Sequence, residues 1–275
     1  MQLEFTKMHG LGNDFIVFDA PRDWPIDGER LRALACRKTG IGFDQALILE
    51  APRQADTVVY YRIFNADGTE VEQCGNGARC VARLMADRLR LGRSEFKMGS
   101  PAGLVMARTE GSGLVSVAMG TPSFMPSALP FDAPIDTPFH RLALAQQNIE
   151  ISVVAIGNPH AVLKVPSVEH ALVDSIGPEV ENHPRFARRT NVEFMEVVST
   201  THIRLRVYER GVGETTACGT GACAAVAVGR RHGWLATEVD VDLPGGRLHV
   251  TWPGDQHAIW LTGPTSTVFK GQMDL

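Results

Sequence analysis

Short runs of apolar residues rich in β-branched side chains recur along the whole chain. They lie at 15–19, 57–64, 151–157, 202–209 and 258–263, in both halves of the 275 residues. Runs of this length and composition are typical of β-strands that bury at least one face. The pattern therefore predicts a protein built largely of β-sheet.

Two segments follow the period of a helix instead. In 77–92 an apolar stripe lies opposite an arginine-rich face, and Gly92 supplies a C-terminal stop. The stripe consists of Ala78, Val81, Ala82, Met85 and Leu89. The second segment, 221–233, is apolar on every side from Ala222 to Val228, which predicts a helix buried all round.

Between these two segments the chain is rich in proline from Pro122 to Pro138 and lacks a sustained period. Such a composition is typical of an extended segment. We predict that this segment links two domains.

The chain also repeats itself, weakly but in a constant order. The sequence FNADGTEVEQCGNGA (64–78) matches YERGVGETTACGTGA (208–222). Each has an aromatic residue ten positions before its cysteine, a glutamate four before it and a GxGA string after it. Two further pairs fall near the same offset of 144 residues, namely Asn13 with Asn158 and Gln45 with Asn191. Features repeated in one order predict two similar domains that arose by duplication.

The overall charge excludes several kinds of partner. A formal net charge of −4 leaves no basic footprint for nucleic acid or for an anionic membrane surface. The N-terminus lacks the basic and apolar run of a secretory signal, and no apolar segment reaches membrane-spanning length. We expect a cytoplasmic protein that binds a small molecule.

Five cysteines are present, and their odd number in a chain of this size favours free thiols over a disulfide framework. Cys36, Cys80 and Cys223 lie in helical segments, where the simplest interpretation is packing. No CxxC occurs and the histidines are scattered, so no metal site is expected.

The other two cysteines, Cys74 and Cys218, each follow a strand-like run and open a helix through CGNG or CGTG. A helix N-terminus carries partial positive charge, which favours the thiolate and lowers the pKa of a thiol. The glycines allow a ligand to approach closely, and the same N–H groups accept a carboxylate. Two reactive thiols beside carboxylate sites suit an amino-acid ligand.

If the two domains face each other around one cavity, the thiols reach one carbon atom from opposite sides. A thiolate then removes the α-proton, and the opposing thiol delivers a proton to the other face, which inverts the stereocentre. Helix-end N–H groups stabilise the charge that develops on the carboxylate. The thiols titrate as a coupled pair, so a bell-shaped pH profile is expected.

Two other interpretations of these residues stay open. Cys74 and Cys218 would form a redox disulfide if they met across an empty cavity. The GxG strings invite a dinucleotide-binding interpretation, although they lack the full GxGxxG pattern and its following acidic residue.

Five segments resemble the signature segments of the diaminopimelate epimerase family. They are MHGLGNDF (8–15), FNADGTEVEQCGNGARC (64–80), GNPH (157–160), RTNVEF (189–194) and ERGVGETTACGTGA (209–222), in the family's order. The resemblance implies an α+β fold of two pseudo-symmetric domains, each a mostly antiparallel sheet wrapped around a central helix, with the active site in the cleft between them. The implied domains are 1–118, completed by 264–275, and 119–263.

The resemblance also implies an activity, the interconversion of LL- and meso-diaminopimelate without pyridoxal phosphate or another cofactor, in lysine and peptidoglycan precursor synthesis. A cytoplasmic homodimer is implied as well. Phe269 departs from the pattern, because it stands where the resemblance leads us to expect a tyrosine at the dimer contact.

Roles for individual residues follow from the same resemblance. It implies that Cys74 and Cys218 are the acid/base pair, and that His160 and Glu209 tune the ionisation of the thiols. The residues implied to hold the reacting carboxylate are Gly75, Asn76, Gly219 and Thr220. Those implied to grip the rest of the substrate are Asn13, Gln45, Asn65, Asn158, Asn191, Glu209 and Arg210. Taken without the resemblance, an asparagine beside glycine is equally typical of a turn, and Glu209 with Arg210 of an exposed ion pair.

Two alternatives of a different kind remain at this point. A proline or hydroxyproline racemase also uses two cysteines on a duplicated fold. A non-catalytic protein of the same fold would bind an amino acid or sense redox state without exchanging protons.

Overall fold

The computed structural model describes residues 2–20, 27–109, 113–133 and 137–274. The chain forms two units: unit 1 consists of Met1–Val117 with Thr262–Leu275, and unit 2 of Ala118–Leu261. Strands outnumber helices throughout the described residues, so the predicted α+β class is confirmed. None of the described helices has both the length and the apolar character needed to span a lipid bilayer.

Unit 1 contains two helices and most of the strands from the first part of the chain. Its elements are β1 (Gln2–Gly10), β2 (Asn13–Asp19), α1 (Gly28–Ala35), β3 (Gln45–Glu50), β4 (Thr57–Asn65), β5 (Glu70–Val71), α2 (Gly75–Leu89), β6 (Glu95–Ser100), β7 (Gly103–Thr109), β8 (Leu114–Ala118) and the C-terminal β18 (Ser266–Asp274). The predicted strands at 15–19 and 57–64 fall in β2 and β4 and are confirmed.

Unit 2 repeats this arrangement after a 3₁₀ turn at Pro126–Ala128. Its elements are β9 (His140–Ala143), β10 (Asn148–Ala155), β11 (Pro159–Lys164), α3 (Val173–Glu181), β12 (Asn191–Ser199), β13 (His202–Glu209), β14 (Gly213–Thr215), α4 (Gly219–Arg231), β15 (Glu238–Leu243) and β16 (Gly246–Thr251), and β17 (Trp260–Pro264) crosses from unit 2 into unit 1. The remaining predicted strands fall in β10, β13 and β17, and are also confirmed.

The order of strand pairing is the same in the two units. In unit 1 the pairs are β18–β1 and β1–β2 antiparallel, β2–β3 parallel, β3–β4 antiparallel and β4–β6 parallel. In unit 2 they are β9–β10 and β10–β11 antiparallel, β11–β12 parallel, β12–β13 antiparallel and β13–β15 parallel. A short strand then pairs with the fifth strand in each series, as β5 with β4 and β14 with β13. The shared order confirms the predicted pseudo-symmetry.

Each unit wraps its strands around one central helix, α2 or α4. The α4 residues from Ala222 to Val228 are at most 1% exposed, which confirms the prediction of a helix buried all round. Their small side chains let β10, β11 and β12 pack close to the helix. In unit 1, α2 contacts β1, β4 and β7 in the same way.

Two expectations for α2 are wrong. Leu89, placed in the apolar stripe, is 48% exposed because it is the last residue of the helix. Arg79, placed on the outer arginine-rich face, is completely buried. Its guanidinium donates to Asn76 Oδ1 at 2.8 Å and to the Gly75 carbonyl at 3.4 Å, so hydrogen bonds compensate for its loss of water.

The proline-rich segment 122–138 is not a linker, because its described residues belong to unit 2. Leu129 is completely buried, and the Phe131 ring lies 4.6 Å from the ring of Phe186. Residues 134–136 of this segment lie outside the described residues. Although proline-rich segments often mark domain boundaries, this one packs on unit 2 because Leu129 and Phe131 join its core.

Candidate active site

Cys74 and Cys218 occupy the same place in the two units, the N-cap of the central helix. Both have extended backbone geometry, and each helix begins at the next residue. The Cys74 sulfur accepts the N–H of Gly77 at 3.4 Å, and the Cys218 sulfur accepts the N–H of Gly221 at 3.3 Å. The predicted position of both thiols at helix starts is confirmed.

In unit 1, polar groups gather around Cys74. Its S–H donates to Asn13 Oδ1 at 3.7 Å, and Asn76 Nδ2 donates to the same oxygen at 3.4 Å. Gly12 precedes Asn13 with a φ of 88°, in the left-handed region that glycine enters without a steric penalty. This turn between β1 and β2 places the asparagine beside the helix start.

Gln45 and Asn65 form a second polar pair in unit 1. They face each other in the β3–β4 register, and Gln45 Nε2 donates to Asn65 Oδ1 at 2.9 Å. Gln45 is also in parallel register with Phe15, two residues after Asn13. The predicted site residues of unit 1 therefore lie together at one end of its sheet.

In unit 2 the corresponding strand ends carry a chain of buried polar groups. His160 Nδ1 lies 2.6 Å from Glu193 Oε1, and both side chains are completely buried. His160 Nε2 lies 2.9 Å from Asn158 Oδ1, which only accepts, so Nε2 carries a proton. Asn158 Nδ2 in turn donates to Thr220 Oγ1 at 3.4 Å. A glycine of positive φ, Gly157, precedes this asparagine as well.

The chain of hydrogen bonds ends at the second cysteine. The Thr220 hydroxyl lies 3.5 Å from Cys218 Sγ. On another side, the Glu209 carboxylate accepts the Thr215 hydroxyl and lies close enough to Cys218 to raise the pKa of its thiol. The structure thus brings Cys218 together with Thr220, Asn158, His160 and Glu209.

Asn191 connects two loops of unit 2. Its Oδ1 accepts the backbone N–H of Arg210 at 3.0 Å, and its Nδ2 donates to the Pro159 carbonyl at 3.0 Å. The Arg210 guanidinium donates to the Arg188 carbonyl at 3.3 Å. Asn191 therefore sets the position of the backbone that carries Arg210.

The expectation that the helix start lowers the pKa of both thiols is wrong for Cys218. Burial raises the pKa of Cys218 well above its ordinary value, and the carboxylates of Glu209 and Glu193 raise it further. The hydrogen bonds from Thr220 and from the Gly221 N–H act in the opposite direction but are outweighed. Burial also raises the pKa of Glu193 and of Glu209. The surroundings of Cys218 therefore favour the protonated forms of its thiol and of the two carboxyl groups.

The two units differ in what lies behind the thiol. Phe15 pairs with Gln45 and Val17 with Leu47 in unit 1, whereas His160 pairs with Asn191 and Val162 with Glu193 in unit 2. Phe15 and His160 are therefore equivalent, and so are Leu47 and Glu193. A Cβ on Gly77 would lie 3.0 Å from the Leu47 side chain, and one on Gly221 would lie 3.0 Å from Glu193 Oε1. An apolar pair in one unit is replaced by a buried acid and imidazole in the other.

Two residues of this site, Glu193 and Asp44, have no role assigned to them by the sequence motifs. Glu193 sits in the strand NVEFMEV, where a glutamate between apolar residues is easily taken for the exposed face. Asp44 accepts Asn13 Nδ2 at 3.1 Å. The comparison of Leu47 with Glu193 across the repeat is the signal that would have identified the first of them.

The remaining cysteines differ in exposure. Cys80 and Cys223 are completely buried, in agreement with packing, while Cys36 is exposed at the end of α1. Among the described residues, no group of three or more His, Cys, Asp or Glu side chains is arranged to hold a metal ion.

Solved structures of similar fold include epimerases and phenazine biosynthesis proteins of the PhzF family. A hydroxyproline epimerase from Agrobacterium vitis superposes with a TM-score of 0.72 at 16% identity, covering 99% of this chain and 92% of that one. A predicted epimerase from Pseudomonas aeruginosa gives a TM-score of 0.71 at 17% identity, covering 98% and 99%. At these identities the likeness concerns the fold.

Sequence relatives are much closer. The profile of the diaminopimelate epimerase family matches residues 5–125 and 152–268. The diaminopimelate epimerase of Pseudomonas aeruginosa is 47% identical over 276 residues, with all of both chains covered. That of Acinetobacter baylyi is 51% identical over 279 residues, covering 100% of this chain and 98% of the other. Since the likeness runs from end to end at such identities, this chain belongs to the diaminopimelate epimerase family.

Proposed function

We propose that this epimerase interconverts LL- and meso-diaminopimelate by moving protons between the α-carbon and two thiols, Cys74 and Cys218. The observation that supports it best is that both cysteines are N-caps of the central helices in units of matching topology. An inversion needs an acid/base group for each face of the carbon, and a duplicated thiol supplies both.

In one direction a thiolate takes the α-proton and becomes a thiol, while the electron pair of the C–H bond passes into the adjacent carboxylate. The other thiol then gives its proton to the opposite face and becomes the thiolate, so protons and charge balance within the pair. The first-turn N–H groups of α2 and α4 have no carbonyl partner within their helices. They are suited to stabilise the negative charge that grows on the carboxylate.

The predicted binding residues suit a ligand with carboxylate and ammonium groups. Arg210 offers a fork of donors to a carboxylate, and Glu209 accepts from an ammonium group. His160 and Glu209 tune the thiols. The other proposed contacts are Asn13, Gln45, Asn65, Gly75, Asn76, Asn158, Asn191, Gly219 and Thr220.

The wider setting of the reaction is part of the same proposal. The proposed domains, 1–118 with 264–275 and 119–263, contribute one cysteine each. No cofactor takes part, and the enzyme works as a cytoplasmic homodimer in the synthesis of lysine and peptidoglycan precursors.

The test is incubation of the pure protein with LL-diaminopimelate in deuterated water under reducing conditions, without added cofactor. We expect deuterium at an α-carbon and formation of the meso isomer, both abolished by Cys74→Ala and by Cys218→Ala. Cys36→Ala is the matched control and keeps the activity, because Cys36 lies outside these groups. Exchange on proline alone would favour a proline racemase, and ligand binding without any exchange would favour a non-catalytic protein.

A further inference from the structure

Asp44 lies beside the candidate site of unit 1 but has no role in the function proposed above. Its Oδ2 accepts two hydrogen bonds, from Asn13 Nδ2 at 3.1 Å and from the Asp14 backbone N–H at 3.0 Å. Its own N–H donates to Asp14 Oδ1 at 3.1 Å. Reciprocal bonds therefore tie the start of β2 to the residue that precedes β3.

These bonds determine which way the Asn13 amide points. A carboxylate accepts hydrogen bonds and cannot donate them, so only the NH₂ group of Asn13 can face Asp44. The amide oxygen is consequently turned the other way, toward Cys74. There it receives the Cys74 S–H at 3.7 Å and Asn76 Nδ2 at 3.4 Å.

We propose that Asp44 is a positioning residue that holds the Asn13 oxygen toward the Cys74 sulfur and thereby favours the protonated thiol there before substrate binds. A Cys74 thiol donates a hydrogen bond to the Asn13 oxygen. A Cys74 thiolate has no proton to donate, so its negative charge would be repelled by the lone pairs of that oxygen. A hydrogen bond made by the neutral form of an acid disfavours its ionisation. The inference rests on the proposed function in one respect, that Cys74 is one of the two reacting thiols.

Charged neighbours keep Asp44 in place. Arg37 Nη2 donates to Asp44 Oδ1 at 2.8 Å, and Arg37 also forms a two-fold ion pair with Asp14. Lys7 binds the same Asp14 carboxylate. Burial alone would raise the pKa of Asp14, but hydrogen bonds from Arg37 and Lys7 hold that pKa well below its usual range. Asp14 therefore stays ionised at any pH where an enzyme of this kind works.

Other titratable groups also face Cys74. Tyr61 on β4 and Cys80 on α2 both interact with its charge. The buried Arg79 guanidinium lies on the same helix and donates to Asn76. The substitutions used below leave these three side chains unchanged, so differences among the variants report on Asp44 and Asn13.

The experiment measures the rate at which iodoacetamide alkylates Cys74 as a function of pH, without substrate. The full-length protein carries Cys36→Ser and Cys218→Ser, and the peptide containing Cys74 is quantified by mass spectrometry. Asp44→Ala removes the acceptor and frees the amide to turn, and we expect alkylation at pH 7 to become about tenfold faster, equivalent to one pH unit of the profile. Asp44→Asn removes the charge but retains an oxygen for the Asp14 N–H and the Asn13 amide, so its rate should stay close to that of the parent.

Two further variants separate the orientation of the amide from other effects. In Asn13→Leu the new side chain has a shape similar to asparagine but no acceptor oxygen for the Cys74 thiol. This variant should accelerate alkylation by itself, and it tests the proposal even if Asp44→Ala weakens the fold. Adding Asp44→Ala to Asn13→Leu should then have no further effect. Equal acceleration by Asp44→Ala and Asp44→Asn, acceleration that persists in the Asn13→Leu background, or none at all would each overturn the proposal. Because no substrate is present, these outcomes are independent of the deuterium-exchange result.

Discussion

The buried pair of His160 and Glu193 yields a prediction in which two harmful substitutions compensate each other. Unit 1 carries Phe15 and Leu47 at the equivalent positions, so the fold accommodates an apolar pair there. His160→Phe alone leaves the Glu193 carboxyl buried without its imidazole partner. Glu193→Leu alone leaves the His160 imidazole buried without its carboxyl partner. Breaking a buried pair in this way costs about 3–5 kcal/mol of unfolding free energy.

Replacing both residues should restore most of that loss. Buried hydrogen-bonded pairs exchanged for apolar residues of similar volume are often neutral or stabilising, so we expect the double variant within about 1 kcal/mol of the wild type. Independent effects would instead sum to about 6 kcal/mol or more. The measurement is urea denaturation of the four proteins at pH 7, followed by circular dichroism, with m-values checked for separate unfolding of the two units.

The activity of the same four proteins should not follow their stability. The double variant is expected to be folded but to have lost α-deuterium exchange, because Asn158 no longer has the imidazole that orients it. Glu196→Gln on the same strand is the control for a lost carboxylate, since Glu196 accepts the Val168 N–H away from the thiol. Additive losses of stability in the double variant would refute the view that the two side chains compensate each other.

Two other predictions concern the ionisation and reactivity of the cysteines. The pKa of Cys218 is raised above the ordinary 9.0, so above pH 9 the unfolded chain releases a proton that the folded chain keeps. The unfolding free energy should therefore fall as the pH rises above 9, by up to about 1.4 kcal/mol per pH unit for this proton. Cys218→Ala should flatten that fall, and an unchanged slope would contradict it. In timed alkylation of the native protein at pH 8, Cys36 should react first, since hydrogen bonds from Thr39 and its backbone neighbours lower its pKa and its sulfur is exposed. Cys80, whose pKa burial raises to about 12, should react only in denaturant, and early labelling of Cys80 in folded protein would show that α2 opens.

The position of the thiols could be predicted because it depends on local sequence. A strand, a glycine-rich turn and a cysteine before GxG define an N-cap within about ten residues, and the structure has this arrangement at both Cys74 and Cys218. The repeat added information over longer distances. The repeat aligns Gln45 with Asn191, and the structure places these two residues at equivalent positions: Gln45 lies opposite Phe15 in the β2–β3 pair, and Asn191 lies opposite His160 in the β11–β12 pair.

The sign of the Cys218 shift could not be predicted from the same local sequence. The helix start is visible in the sequence, but burial and the two carboxylates around the sulfur are brought there by β12 and β13. Arg79 illustrates the same limit, since helical periodicity placed it outside and tertiary contacts bury it. The proline-rich segment is part of unit 2 rather than a linker because Leu129 and Phe131 join a core that only the folded unit provides.

The difference between Phe15 with Leu47 and His160 with Glu193 also bears on how such a protein can evolve. A homodimer of a single ancestral half would be obliged to surround both thiols with identical side chains, since one gene would encode both. Fusion of two copies into one gene removes that obligation, and each copy can then mutate separately. The asymmetry behind the thiols is thus available to a fused chain but not to a homodimer of one half, and a chimaera built from two copies of either half would lose it.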